Sequence, residues 1–112
     1  MTGLHGKWLD QTLEQRDIKT WLLQQTHIKE LMKADLLTDK DVDHVANCIH
    51  HIYGWYHGKQ NLGHFLTAIV ENNLMEACGR ADTANTLCLP IYAMYLYNYA
   101  PDDYKQKAKP LE

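Results

Sequence analysis

The chain has 112 residues, of which 46% are apolar, and a formal net charge of −3 with neutral histidines. These values fit a single globular domain over residues 1–112 and argue against general disorder. The acidic balance argues against nucleic-acid binding, which relies on Lys and Arg to neutralise phosphates. No apolar window approaches the roughly 20 residues of a membrane span, and no signal-peptide pattern is visible, so we expect a cytoplasmic protein with no membrane partner.

Four helical segments are predicted, and together they indicate a compact all-α bundle. Residues 1–10 contain two glycines and are expected to form an irregular arm that is pinned by Trp8. The first helix is predicted to carry one apolar stripe, with Gln25 inside it. The residues of this stripe are Ile18, Trp21, Leu22, Ile28, Met32 and Leu36.

The second helix has a recognisable start. Thr38 and Asp41 have the capping-box spacing, in which each side chain accepts a hydrogen bond from the backbone of the other residue. The apolar stripe that follows consists of Val42, Val45, Ile49, Ile52 and Tyr56. Glycines at positions 54 and 58 weaken the far end of this helix, so residues 58–63 are predicted to form a loop.

The third helix is predicted from about His64 to Cys78, with Gly79 as its stop. Its predicted buried face consists of Leu66, Ile69, Val70, Leu74, Ala77 and Cys78. Asp82 has the position of an N-cap for a fourth helix, which covers about residues 83–99. Pro90 removes a backbone donor inside that segment, so we expect a kink or a fresh helix start near Leu89. A polar tail over residues 102–112 ends the domain, and its last two residues, 111 and 112, have the composition of a cloning scar.

The stretch "NNLMEACGRADTAN", residues 72–85, is half polar although it lies within an apolar run. On a continuous helix, Ile69, Asn73, Glu76 and Arg80 would lie along one line. Two interpretations are open: the polar groups satisfy one another as a clasp between the third and fourth helices, or they line a pocket that holds phosphate, ribose or a base edge. The candidate ligand-binding residues are Asn73, Glu76, Arg80, Asp82, Asn85, Tyr92, Tyr95 and Tyr99.

Seven tyrosines accompany a single phenylalanine, which is an unusual choice for a dry interior. Tyr92, Tyr95 and Tyr99 are predicted to share a helix face. Three interpretations remain open for this stripe: core packing, an oligomer or partner surface, and stacking against a ligand base.

His44, Cys48 and His51 follow at helical spacing and are weak candidates for zinc ligands. Structural zinc sites normally draw ligands from two segments, so we expect neither a metal nor a cofactor. The three cysteines have wide spacings and are expected to be reduced thiols. The sequence shows no nucleophile elbow, phosphate-binding glycine loop or HExxH motif, which favours a non-enzymatic protein.

Residues 63–101, "GHFLTAIVENNLMEACGRADTANTLCLPIYAMYLYNYAP", resemble a pattern in small helical accessory proteins of tailed bacteriophages. The resemblance is carried by Phe65-Leu66, Asn72-Asn73-Leu74, Arg80-Ala81-Asp82, Asn85, Tyr97-Asn98 and Ala100-Pro101. It covers about a third of the chain and contains no catalytic motif. Members of that family often continue with a glycine- and serine-containing tail, whereas this chain continues with two aspartates and a tyrosine.

The resemblance implies a phage protein made in the host cytoplasm that acts by binding. Our leading hypothesis is a counter-defence sponge, in a homo-oligomer, that sequesters a small nucleotide-type signalling ligand. The alternative is an adaptor or inhibitor that binds a host protein through a tyrosine-rich surface.

Overall fold

The structure is a computed structural model that describes residues 3–101, 103 and 104. This part of the chain forms eight α-helices and no strand, which confirms the all-α class. The helices are α1 (Leu4–Asp10), α2 (Gln15–Gln24), α3 (Thr26–Lys33), α4 (Asp39–Tyr56), α5 (His64–Val70), α6 (Leu74–Arg80), α7 (Thr83–Leu87) and α8 (Leu89–Tyr99). The larger number of helices arises because the predicted segments are divided at specific residues.

The N-terminal residues differ from the expected irregular arm, because residues 4–10 form α1. Trp8 is fully buried, and its ring centroid lies 5.5 Å from that of Tyr53 and 6.1 Å from that of Tyr95. Burial of a tryptophan contributes enough apolar area to hold a short helix that propensity alone would not form. α1 is therefore a part of the core rather than an arm beside it.

The first predicted helix is divided at Gln25, whose backbone is extended (φ −79°, ψ 132°) and ends α2 before α3 begins. The Gln25 side-chain amide donates to the Trp21 carbonyl at 3.0 Å, which satisfies one of the acceptors that a helix end leaves open. Ile18 and Ile28 lie in the core on either side of the break. Leu36 was expected on the buried stripe but is 56% exposed, because α3 ends at Lys33.

The start of α4 confirms the predicted capping box. Thr38 Oγ1 accepts from the Asp41 amide at 3.2 Å, and Asp41 Oδ2 accepts from the Thr38 amide at 2.9 Å. The Thr38 amide and the Thr38 hydroxyl both donate to the Asp41 carboxylate, and these two bonds hold the pKa of that carboxyl below its ordinary value because they stabilise the charged form. The predicted stripe on α4 is buried throughout, and α4 packs against α2, α5 and α7.

The third predicted helix is also divided. Asn72 has φ of +59°, a left-handed conformation that interrupts the helix between α5 and α6. Leu74 and Cys78 were predicted on the buried face but are exposed, because α6 leaves the axis of α5. Gly79 does not act as the stop either, since α6 continues through residue 80.

The last two helices follow the predicted local signals. Asp82 caps α7, with Oδ1 accepting from the Asn85 amide at 2.8 Å. Pro90 lies in the first turn of α8, where its missing N–H would have no intrahelical acceptor. The expected restart near Leu89 is confirmed.

The molecule measures 45 × 38 × 20 Å along its principal axes. No helix among the described residues is long and apolar enough to cross a bilayer. The predicted polar tail, 102–112, lies outside the described residues except for Asp103 and Tyr104, and Asp103 accepts a hydrogen bond from the Tyr56 hydroxyl at 2.7 Å.

Candidate functional site

The eight residues that the sequence suggests as ligand-binding do not meet in one place. One set lies at the surface on and beside α6, a second joins α4 to α7, and the tyrosines point into the core or its edge. The surface set is Asn73, Glu76 and Arg80; the joining set is Asp82 and Asn85; the tyrosines are Tyr92, Tyr95 and Tyr99. The eight residues therefore lie in three regions, and the second and third of these are linked by the hydrogen bond between Asn85 and Tyr92.

The polar residues of α6 are satisfied locally. Asn73 is the N-cap of α6, and its Oδ1 accepts from the Glu76 amide at 3.2 Å. Arg80 Nε donates to Glu76 Oε1 at 2.7 Å, and the side chains of both partners are about half exposed. The line expected to run from Ile69 to Arg80 is broken at Asn72, so Glu76 and Arg80 form an ordinary i,i+4 surface pair.

The rest of α6 is an exposed apolar surface. Leu74 is 67% exposed and Met75 is 87% exposed, and the thiol of Cys78 is also at the surface. Ala77 is the buried residue of this helix, and α6 packs mainly on α5. We call the exposed surface formed by Leu74, Met75 and Cys78 the α6 face.

A hydrogen-bonded cluster joins α4, α7 and α8. His44 Nε2 donates to Asp82 Oδ2 at 2.9 Å, in the tautomer that carries the proton on Nε2. Asn85 is only 4% exposed, and its Oδ1 accepts from the hydroxyl of Tyr92, which is 1% exposed. The Asn85 Nδ2 atom lies 3.4 Å from His44 Nε2. The buried amide and hydroxyl are bonded to each other, so this cluster is a clasp of α4 with α7 and α8, and not the clasp that was predicted between the third and fourth helices.

The cluster does not have the arrangement of a nucleophilic site. Cys48 Sγ lies 3.9 Å from His44 Nε2, but that same nitrogen also faces Asp82. In a catalytic triad the base uses one ring nitrogen for the nucleophile and the other for the carboxylate. Burial also raises the pKa of the Cys48 thiol, which disfavours the reactive thiolate.

The three weak zinc candidates are not gathered into one site. His51 is exposed, while Cys48 is buried beside Asn85 and Tyr92. Among residues 3–101, 103 and 104, no group of three His, Cys, Asp or Glu side chains has a geometry that could hold a metal ion.

The tyrosine stripe of α8 is mostly core. Tyr92 and Tyr95 are buried, and burial raises the pKa of both hydroxyls above the ordinary value. The Tyr95 ring lies 5.3 Å from Trp21 and 5.3 Å from Tyr99, centroid to centroid. Only Tyr97, on the opposite side of α8, is largely exposed, at 89%. An aromatic wall built from Tyr92 and Tyr95 would therefore be closed to a ligand.

An open cleft of about 380 Å³, which the sequence did not predict, lies between α1, α2 and α8. Its polar groups include the ion pair between Lys7 Nζ and Asp17 Oδ1, at 2.9 Å, and the Trp21 indole N–H, which donates to the Tyr99 hydroxyl at 3.1 Å. The lining residues are Gly3, Leu4, Lys7, Asp17, Thr20, Trp21, Gln24 and Tyr99. The signal that could have indicated it is the i, i+3, i+4, i+7 spacing of the four α2 residues in this lining.

Comparison with protein-family models, with curated proteins and with solved structures found no match for the chain. The assignment of a function therefore depends on the surfaces and contacts described above. Of these, the α6 face is the most exposed apolar feature with a defined helical geometry.

Proposed function

We propose that the chain is a non-enzymatic accessory protein that acts by binding another protein, and that the α6 face is the surface it uses. The observation that carries this proposal is the exposure of two large apolar side chains side by side, Leu74 at 67% and Met75 at 87%. Large apolar side chains that stay in water on a helix are typical of an interaction surface.

The geometry of α6 fits recognition of a helix by a groove. Leu74 and Cys78 are separated by one turn, and Met75 lies beside them, so all three can enter one groove. Complete burial of a Leu or Met side chain contributes about 1.5–3 kcal/mol. Ala77 on the inner side keeps the helix attached to the protein while its outer side stays open.

The charged residues in the segment that contains α6 indicate which charge the partner should carry at the rim of its groove. Residues 71–83 contain three acids, Glu71, Glu76 and Asp82, and one base, Arg80, which gives 1 − 3 = −2. Arg80 is already paired with Glu76, and Asp82 is bonded to His44, so the remaining charge of this segment is the negative one of Glu71. We infer a partner with an apolar groove and a basic rim, because complementary potentials speed association and suppress wrong partners.

The phage resemblance supports the same class of action. Two of its motifs, Asn72-Asn73-Leu74 and Arg80-Ala81-Asp82, lie at the two ends of α6. Small phage proteins commonly bind and block a host protein, and the partner would then be met in the host cytoplasm. A nucleotide ligand stays a separate hypothesis supported by that context alone, and calorimetry against cyclic and ADP-ribose-derived nucleotides tests it.

The test of protein binding uses affinity capture from host extract with three forms of the full chain. We expect wild type to retain a partner that the double variant Leu74→Glu/Met75→Glu does not retain. The variant Leu36→Glu is a matched control, because Leu36 is 56% exposed but belongs to the α3–α4 connection. The captured protein is then purified and titrated by calorimetry at two salt concentrations.

Support for the proposal requires three results together: binding by wild type, at least a tenfold loss in the α6 double variant, and no loss in the Leu36 variant. A partner that binds all three forms equally would place the interaction elsewhere. Circular dichroism of the double variant shows whether the fold is retained, which we expect because the changed side chains lie in solvent.

A further inference from the structure

The outward side of α8 carries an uncharged apolar stripe. Pro90, Ala93, Met94 and Tyr97 recur at steps of three, one and three residues, which places them on one face of a helix. Met94 is 42% exposed and Tyr97 is 89% exposed. We call this set the α8 stripe. The opposite side of α8 is buried in the core through Ile91, Tyr92, Tyr95 and Leu96.

A surface helix normally has a polar outer face, and other helices of this molecule do. Exposed Arg16 lies on α2, and exposed Lys29 and Glu30 lie on α3. The 11 residues of α8, in contrast, include no charged side chain. A helix that is apolar on all sides is expected to be covered on all sides. Among the described residues, the outer side of α8 stays exposed at Pro90, Ala93, Met94 and Tyr97, so an external partner can cover it.

The polar atoms near the α8 stripe do not need hydrogen bonds from a partner molecule. Asn98 is exposed, but its Nδ2 donates to the Met94 carbonyl at 2.8 Å, so the amide is turned back onto its own helix. The Tyr97 hydroxyl lies at the tip of its side chain and can stay in water at the rim of an interface. Covering the stripe would therefore bury mainly carbon.

We propose that a second copy of this chain covers the α8 stripe, in a symmetric antiparallel helix pair. A two-fold interface requires a surface that is complementary to itself. Each molecule carries a net charge of −3, and an uncharged stripe allows two such molecules to meet without opposing like charges at the contact. The α8 stripe is thus electrostatically compatible with its own copy.

The sizes of the side chains along the stripe support the antiparallel arrangement. When two copies of α8 run in opposite directions and cross between Ala93 and Met94, Tyr97 of one copy meets Pro90 of the other. Met94 likewise meets Ala93. Each large side chain then lies opposite a smaller one, which is the condition for close packing across a helix pair. A parallel pair would place Tyr97 against Tyr97 and leave a gap between the alanines.

The expected dimer is reversible. An 11-residue helix is about 16 Å long, so the stripe alone covers less than the roughly 800 Å² per partner of a typical stable interface. We therefore expect dissociation in the micromolar range. This proposal is independent of the α6 face, because the residues involved belong to a different helix.

The test measures mass against protein concentration by sedimentation velocity for the full chain and two variants. We expect wild type to shift from the 13.0 kDa monomer towards twice that mass as concentration rises through the micromolar range. Tyr97→Lys is expected to stay monomeric, because it replaces the largest side chain of the stripe with a charged one and removes the contact with Pro90 in each copy. Leu74→Lys, which charges the α6 face instead, is expected to dimerise as wild type does.

A cysteine variant gives a second, geometric readout. Ala93→Cys in a Cys78→Ser background places a thiol close to the proposed two-fold axis, and mild air oxidation should join two chains through an intermolecular disulfide. A wild type that stays monomeric at millimolar concentration overturns the proposal. Dimerisation that survives Tyr97→Lys, or that is lost in Leu74→Lys, also overturns it.

Discussion

At the scale of single residues, the clasp around Asn85 is the most consequential polar feature. Asn85 is buried, its side-chain oxygen accepts from the Tyr92 hydroxyl, and its backbone N–H donates to the Asp82 carboxylate that caps α7. A buried hydroxyl that loses its acceptor costs about 1–3 kcal/mol. The effect of a substitution here should therefore be much larger than at the polar residues of α6.

Asn85→Ala is expected to lower the free energy of unfolding by about 2 kcal/mol, because it removes the oxygen acceptor of the buried Tyr92 hydroxyl. Adding Tyr92→Phe removes that hydroxyl, so the double variant should lose less than the sum of the two single changes. Urea unfolding followed by circular dichroism measures all three. Strict additivity would show that the two side chains do not support each other.

Arg80→Leu tests whether Arg80 is part of a structural clasp or only of a surface ion pair. The bond between Arg80 and Glu76 is half exposed, and exposed i,i+4 pairs contribute about 0.3–0.5 kcal/mol. We expect a loss of no more than this in urea unfolding. A loss of several kcal/mol would mean that Arg80 holds the α6–α7 connection together.

The three thiols should differ strongly in reactivity. Cys78 is exposed, whereas Cys48 and Cys88 are buried. Burial raises the pKa of Cys88 to about 11, and it raises the pKa of Cys48 as well, so both stay protonated at neutral pH. An aromatic disulfide reagent at pH 8 should titrate one thiol quickly in the native protein and three in denaturant. Cys78→Ser should abolish the fast phase, and a fast phase that persists would contradict the burial.

At the scale of helices, the caps at Thr38 and Asp82 and the restart at Pro90 could be predicted, whereas the breaks at Gln25 and Asn72 could not. Thr38, Asp82 and Pro90 act through bonds within a few residues of themselves, so a short window of sequence contains the whole signal. Gln25 and Asn72 end helices without glycine or proline. The apolar period continues across both breaks. Leu74 therefore fits the apolar stripe of one continuous helix, although the structure has two separate helices there.

Asn72 offers a direct test of the second break. A residue other than glycine or asparagine in the left-handed region costs roughly 1–2 kcal/mol. Asn72→Ala should therefore destabilise the protein by about 1 kcal/mol, while Asn72→Gly should be close to neutral. Thermal unfolding of the two variants measures this. Equal midpoints would show that the turn between α5 and α6 does not depend on the left-handed conformation.

The capping box of α4 should affect how much stability the folded protein loses as the pH is lowered. The Asp41 carboxyl has a lowered pKa in the folded protein because the Thr38 amide and hydroxyl bond to its charged form. Its contribution is therefore present above the ordinary aspartate pKa and is lost as the pH falls through the folded pKa. Urea midpoints at pH 7 and pH 3 should differ less for Asp41→Asn than for wild type.

At the scale of the whole molecule, the long-range contacts could not be predicted from the sequence. His44 and Asp82 are 38 residues apart, and the cleft combines side chains from α1, α2 and α8. The helical class follows from local periodicity, whereas the choice of which polar residues meet depends on how the helices pack. The predicted ligand residues were grouped by proximity in sequence, and packing placed them in three environments.

A dimer would also make the stability of the whole molecule depend on its concentration. Association stabilises the folded state by mass action, so the thermal midpoint should rise as the protein is concentrated. The Tyr97→Lys variant should show a constant midpoint over the same range. A wild-type midpoint that is independent of concentration through the micromolar range would argue against α8 pairing.

The attachment of α6 has a consequence for the evolution of the protein. Among the seven residues of this helix, Ala77 is the one buried against the rest of the structure. Substitutions at exposed positions usually change stability by less than about 0.5 kcal/mol. The remaining six positions can therefore diversify with little penalty to the fold. Under the binding function proposed for the α6 face, changes within α6 alone would be enough to alter the partner.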